Sequence, residues 1–225
     1  MTQFVHLRTH SEYSMVDGLF RVEELVGQVA GYAMPAVALT DDSNLFASVK
    51  FYRACLLRGV QPIIGTDCWV KGDVGFGRLT LIAMNQEGYK NLLELLSLGW
   101  LKGQDGDYAL LNWEWVDDHA AGLICLTGAT EGEIGRLVTA GQHDKAGDVL
   151  EKYHSVFADR LYFELTRVGL PGETALAQFG VAATDRLLIP LVATNVACFG
   201  QANDCLLYTS PSPRDYAASR MPSSA

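Results

Sequence analysis

Between residues 4 and 194, short apolar runs alternate with stretches of helical periodicity, and this alternation limits the chain to few architectures. The runs at 4–7, 36–39, 61–64, 68–70, 79–83, 123–126, 162–165 and 187–194 are the candidate strands, the last entered through Pro190. Residues 20–32 place Val22, Leu25, Val26 and Val29 on one helical face and Glu23 and Glu24 on the other. Residues 45–57 are helical and closed by Gly59, and 86–98 crowd Leu92, Leu93, Leu95 and Leu96 onto one side. Further helices are expected at 131–138, 142–157 and 172–186. Such alternation marks βα units around a parallel sheet. Six or seven strands in about 200 residues suit a βα barrel or a doubly wound sheet, and periodicity does not choose between them.

Composition narrows the function. A chain that is 49% hydrophobic and 19% charged can bury a core and is not disordered by composition. Seventeen Lys and Arg against 26 Asp and Glu leave a net charge of −9, which argues against a surface that grips DNA alone. The five cysteines (55, 68, 125, 198 and 205) include no CxxC pair, which argues against a disulfide framework or a Cys-rich zinc site and fits a reducing compartment. No run approaches 18 apolar residues and no signal-peptide layout opens the chain, so a soluble cytoplasmic protein without membrane contact is expected. From Cys205 onward Ser, Pro and Ala dominate without periodicity. The expected division is one domain over 1–204 and an unstructured or non-native tail over 205–225, as if the reading frame of a longer protein broke off near Asp204.

The polar residues of interest follow the strands. His6, Arg8, His10 and Asp17 follow the first, Asp41 and Asp42 the second, Asp67 the third, and Asn195 and Cys198 the last. In parallel α/β folds the loops leaving the strand C-termini open on one face, where imidazoles and carboxylates can converge on divalent metals. His10 reads equally as a hydrogen-bonded loop histidine, Asp17-Gly18 as a turn, and residues 40–43 as a helix cap. The glycines at 72, 75 and 77 lack a following Lys-Ser/Thr and read as a hairpin connection, not a phosphate loop. Ser11 and Ser14 lack a nucleophile elbow. His119, His143 and His154 read as surface residues, and Trp100, Trp113 and Trp115 as packing residues.

The run at 6–18, with Arg8, His10, Ser11, Asp17 and Gly18, resembles the opening motif of the PHP (polymerase and histidinol phosphatase) domain. More narrowly, it resembles the version that opens bacterial replicative DNA polymerase III alpha subunits. Further matches follow in order at 34–45, 49–52, 59–67, 85–92, 162–165 and 192–195, so the resemblance covers about 200 residues. It implies an irregular seven-stranded βα barrel, which decides the choice left open above. Active members open with His-x-His, bind a small cluster of metal ions and hydrolyse phosphoesters. Here Arg8 stands at the first histidine and His10 at the second, and Asp17 matches a metal-binding Asp. Asp42 replaces a His, Asp67 a Glu, Arg78 and Val168 two further His, and Val196 and Cys198 the ends of an Asp-x-His.

Arg8, Arg78, Val168 and Val196 cannot ligate a cation at neutral pH, and two guanidinium groups in the cavity would repel divalent ions and pair with Asp17, Asp42 or Asp67. The resemblance therefore implies a vestigial metal site and a largely non-catalytic scaffold that docks a proofreading exonuclease subunit alongside other holoenzyme subunits. The parent chain would be a DNA-directed DNA polymerase using magnesium, its catalytic residues and DNA contacts lying in downstream domains. The alternative is a phosphoesterase or 3′–5′ exonuclease in which His10, Asp17, Asp42, Asp67 and Cys198 hold zinc or manganese. A thiolate among these carboxylates suits zinc or iron better than magnesium.

Overall fold

The computed structural model describes residues 4–200 apart from 16, 73 and 74; the expected tail at 205–225 lies outside the described residues. Its strands are β1 (Ala36–Leu39), β2 (Gln61–Gly72), β3 (Gly75–Ala83), β4 (Gln104–Asp105), β5 (Tyr108–Leu111), β6 (Leu123–Leu126), β7 (Leu161–Leu165) and β8 (Leu191–Ala193). The α-helices are α1 (Val22–Gly31), α2 (Ser48–Arg58), α3 (Gln86–Lys102), α4 (Trp113–Asp118), α5 (Glu133–Thr139), α6 (His143–Phe157) and α7 (Glu173–Leu187).

The sheet runs β4-β5-β2-β3-β6-β7-β8, and β1 pairs with the first part of β2 while β5 pairs with its later part. The opening segment forms no regular strand, in contrast to the expectation for 4–7. Instead it makes isolated bridges, His6 with Val37 and Thr9 with Ala197. Main-chain N–H groups of Ala38 and His10 donate to His6 (2.8 Å) and Ala197 (3.0 Å), so this segment lies between β1 and the chain leaving β8. Seven staves then follow one another: the opening segment, β1, β2, β3, β6, β7 and β8. The fold is α/β of the PHP barrel type.

The sheet is mixed, not parallel. β3 is antiparallel to both β2 and β6 because β2 returns directly as a hairpin, with Gly72 opposite Gly75, and no helix lies between to carry the chain back. The two runs at 61–64 and 68–70 are one strand; Thr66 and Asp67 break the apolar pattern because they bond at the barrel mouth, Thr66 to the Asp41 carbonyl and Asp67 to Arg8 and His10. At the far end α7 continues to Leu187 and Leu188 turns left-handed (φ 56°), so β8 begins only after Pro190. The hairpin β4–β5 and helix α4 are additions that periodicity did not reveal.

Helices form where the apolar spacing called for them. In α3, Asn85 caps the start by accepting from the Gly88 N–H (2.9 Å), and Leu92, Leu95 and Leu96 face inward. Burying each such leucine stabilises the fold by roughly 1.5–3 kcal/mol. One apolar cluster joins β2, β3 and β6 to α3, α5 and α6, and a second joins α1 and α2 to β1. Trp113 and Trp115 pack against the first, Trp113 stacking on Tyr153 at 4.5 Å. The four described cysteines are free thiols, and among the described residues no helix is long and apolar enough to cross a membrane.

Candidate functional site

Strand alternation aims the polar side chains. Arg8 and His10, two residues apart on the opening segment, both reach Asp67 on β2. Asp67 lies directly opposite Thr80 on β3, and Trp69 opposite Arg78, so these four share one face of the hairpin. Arg78 stacks on the Trp69 ring at 4.5 Å. Glu164 comes from β7, and Thr194, just beyond β8, donates to it.

Asp67 is the hub. Its Oδ2 accepts from Arg8 Nη2 (2.6 Å), Arg8 Nε (3.2 Å), His10 Nε2 (2.9 Å) and Arg78 Nη1 (3.4 Å). Its Oδ1 accepts from the Thr80 hydroxyl. Arg8, only 1% exposed, also donates to Glu164 Oε1 (3.2 Å) and lies 3.8 Å from Glu131. Arg78 reaches Asp42 (3.3 Å) and Glu131 (3.5 Å) as well. Asp17 pairs with His10 Nδ1 (2.9 Å), not with an arginine. Asp41 fixes the loop above, accepting from the Ser11 N–H (2.6 Å) and the Ser11 and Ser14 hydroxyls (both 2.7 Å). A Cβ on Gly18 would lie 1.9 Å from the Ser11 carbonyl oxygen, so the turn after Asp17 requires glycine.

These contacts set the charges. Burial disfavours an ionised Asp67, but Arg8, His10 and Arg78 outweigh it and hold the carboxyl far below the usual range. Burial likewise opposes charge on His10, yet its bonds to Asp17, Asp67 and Cys198 push its pKa up to about 12. Burial again opposes charge on Asp17, and His10 draws that carboxyl below its usual range. At Asp42 burial wins over Arg78 and the pKa is raised.

Six of the nine expected positions, Arg8, Asp17, Arg78, Val168, Val196 and Cys198, line one cleft of about 250 Å³ at the mouth. His10 and Asp67 are buried behind it, and Asp42 joins through Arg78. Sequence reasoning missed Glu131 and Glu164. Glu164 left a faint trace as the one charge inside the apolar run 162–165, whereas Glu131 left none. His119 lies elsewhere, bonded to the Trp115 carbonyl and to Glu94.

Metal-binding members of such a family need lone pairs that point into the cavity. Both oxygens of Asp67 are taken by donors, and two guanidinium groups fill the space beside it. Among the buried acceptors without a hydrogen-bond partner in the described residues, Glu164 Oε2 is the one carboxylate oxygen, and a single carboxylate oxygen does not cage a cation. His10, Asp17 and Cys198 do offer ligand atoms within 4.8 Å of one another. But a His10 ring held between two carboxylates carries both protons and has no lone pair to give without losing one. This donor set does not suit a multi-cation cluster.

Seven staves, helices outside and a polar cluster at one mouth define the class: the chain belongs to the PHP domain family, whose model matches residues 6–168. Its relatives are more particular. It is 44% identical over 204 residues to the DNA polymerase III subunit alpha of Pseudomonas aeruginosa, covering 89% of this chain and 17% of that protein. It is 37% identical over 206 residues to the same subunit of Escherichia coli, covering 90% of this chain and 18% of that protein. The matched part is the N-terminal region of those longer proteins, less than a fifth of their length. Among solved structures, an amidohydrolase from Chromobacterium violaceum with bound sulfate and no metal is similar with a TM-score of 0.59 at 12% identity, covering 89% of each chain. A protein from Bifidobacterium adolescentis described as a metal-dependent phosphoesterase reaches 0.54 at 10% identity, covering 86% of this chain and 87% of that one. At these identities the likeness concerns the fold alone.

Proposed function

We propose that this chain is the N-terminal PHP domain of a replicative DNA polymerase III alpha subunit, and that it serves as a non-catalytic scaffold in the cytoplasm. The parent would carry out template-directed DNA synthesis with magnesium bound by downstream residues. This part would stabilise it and dock the proofreading exonuclease subunit and other holoenzyme subunits. One observation supports the reading: Arg8 and Arg78 converge on Asp67, and on this reading protein cations stand in for the metal ions that the resemblance implies for active members. Net charge −9 favours protein contacts over DNA contacts.

Elemental analysis of the purified chain, followed by a phosphoesterase assay with added manganese or zinc, tests it. The expected result is metal well below one ion per chain and no turnover. Stoichiometric zinc with turnover that His10→Ala abolishes would establish the second reading, a phosphoesterase or 3′–5′ exonuclease built on His10, Asp17 and Cys198. Pull-down of a purified proofreading exonuclease subunit is expected to succeed, and its failure would remove the docking role.

A further inference from the structure

The cleft at the barrel mouth shows opposite charge at its two depths. The buried groups locked together behind it are three cations, Arg8, His10 and Arg78, and two carboxylates, Asp67 and Glu164, so the inner half is left with one positive charge in excess. Arg8 and Arg78 reach the cleft wall; Asp67 and Glu164 do not. Toward solvent the sign reverses, for Asp17 and Glu131 line the cleft with 40% and 48% of their side chains exposed. Val168, Leu170 and Val196 supply an apolar side.

The polar groups of this wall have bonding capacity to spare. Arg78 is 7% exposed, yet its Nε–H has no hydrogen-bond partner among the described residues, and Glu131 Oε2 at 3.5 Å gives only an ion contact. A buried donor of that kind calls for an acceptor. Glu131 accepts no side-chain hydrogen bond among the described residues, and Asp17 offers only Oδ1 to His10. A simple anion in the cleft would be repelled by Asp17 and Glu131, and a simple cation by both guanidinium groups. A small molecule that carries both charges escapes both repulsions. At about 250 Å³ the cleft lies below the roughly 300–1,000 Å³ typical of drug-sized ligands, which limits that molecule to a small body beyond its charged groups.

We propose that the mouth cleft binds a free α-amino acid with an apolar side chain. Its carboxylate would take the Arg78 Nε–H, its ammonium would meet Glu131 and Asp17, and its side chain would lie along Val168, Leu170 and Val196. The proposal rests on a mouth free of metal, so it is tested on the full chain after EDTA treatment and dialysis. Elemental analysis of the untreated chain reports separately on the metal. NMR titrations compare leucine with isopentylamine, which lacks the carboxylate, and isocaproate, which lacks the ammonium. Leucine is expected to bind with a Kd on the order of 1 mM, and each half-molecule roughly tenfold or more weakly. Glu131→Gln is expected to bring leucine down to the level of isocaproate, and Arg78→Gln to that of isopentylamine. Where the thermal melt shows that Arg78→Gln unsettles the fold, Glu131→Gln, at an exposed carboxylate, decides alone. Equal binding of leucine and either half-molecule overturns the proposal, because it assigns the cleft to a plain anion or a plain cation. So does the absence of leucine binding at tenfold the expected Kd, or leucine binding that Glu131→Gln leaves unchanged.

Discussion

The inner and outer halves of the barrel mouth use the same residue types under opposite conditions. Inside, Asp67, Arg8 and His10 are all within 1% of complete burial, and every oxygen of Asp67 has a donor. Outside, Glu131 and Asp17 are nearly half exposed, and Asp42 sits between the two conditions. Buried charges survive where each is matched by geometry and hydrogen bonding, because breaking one pair strands the other charge away from water. At the rim, water replaces a lost partner, and the same pairs are worth little. The contrast teaches that the inner half holds the mouth together while the outer half adjusts to solvent.

The sharpest way to break this contrast is Asp67→Ala. It leaves the Arg8 guanidinium and His10 facing each other in a dry site, and a loss on the order of 3–5 kcal/mol is expected in denaturant unfolding. A loss below about 1 kcal/mol would show the inner half to be no more cohesive than the rim.

Next, and smaller per pH unit, is a pH effect. The pKa of His10 is raised to about 12 in the folded chain against about 6.5 in the unfolded one. Its contribution is therefore fully present below about pH 6.5 and declines as pH rises toward the folded value, by at most about 1.4 kcal/mol per pH unit. Comparing unfolding of the unmodified chain with His10→Gln from neutral to alkaline pH isolates this slope, which vanishes in the variant. A smaller loss, about 1–2 kcal/mol, is expected for Thr194→Val, which removes a hydroxyl donor from Glu164. The smallest is Asp42→Asn. Because burial raises the pKa of Asp42 despite Arg78, the neutral amide is expected to change stability by less than about 1 kcal/mol in either direction at neutral pH.

Local rules made the helices legible. The spacing of Val22, Leu25, Val26 and Val29 and of Leu92, Leu95 and Leu96 survives in the inward faces of α1 and α3, while Leu93, expected beside them, turns outward and is exposed. Strands that carry the site were harder to read, because function interrupts their pattern. Thr66 and Asp67 look like a polar break between two short strands, yet both are buried within β2. Arg8, His10, Asp17, Asp42, Asp67 and Cys198 stood out as polar residues following strands, whereas Arg78, Val168 and Val196 were visible only through the family's motif. Which acid each base would meet was not, because those pairings depend on how segments distant in the chain come together. Arg8 finds Glu164 across 156 residues, and Asp17 turns to His10 seven residues away instead of to an arginine.

That long reach has a consequence for how the chain acquires its shape. The first stave cannot neutralise Arg8 through Glu164 until β7, formed near the other end of the described chain, has docked. On the ribosome the arginine would wait, hydrated, while most of the domain is synthesised. Contacts that mature so late contribute little to the folding transition state and much to the barrier against escape from the native basin. The ionic knot at the mouth is in this sense a latch: damage to it is expected to leave the speed of folding nearly unchanged and to hasten opening.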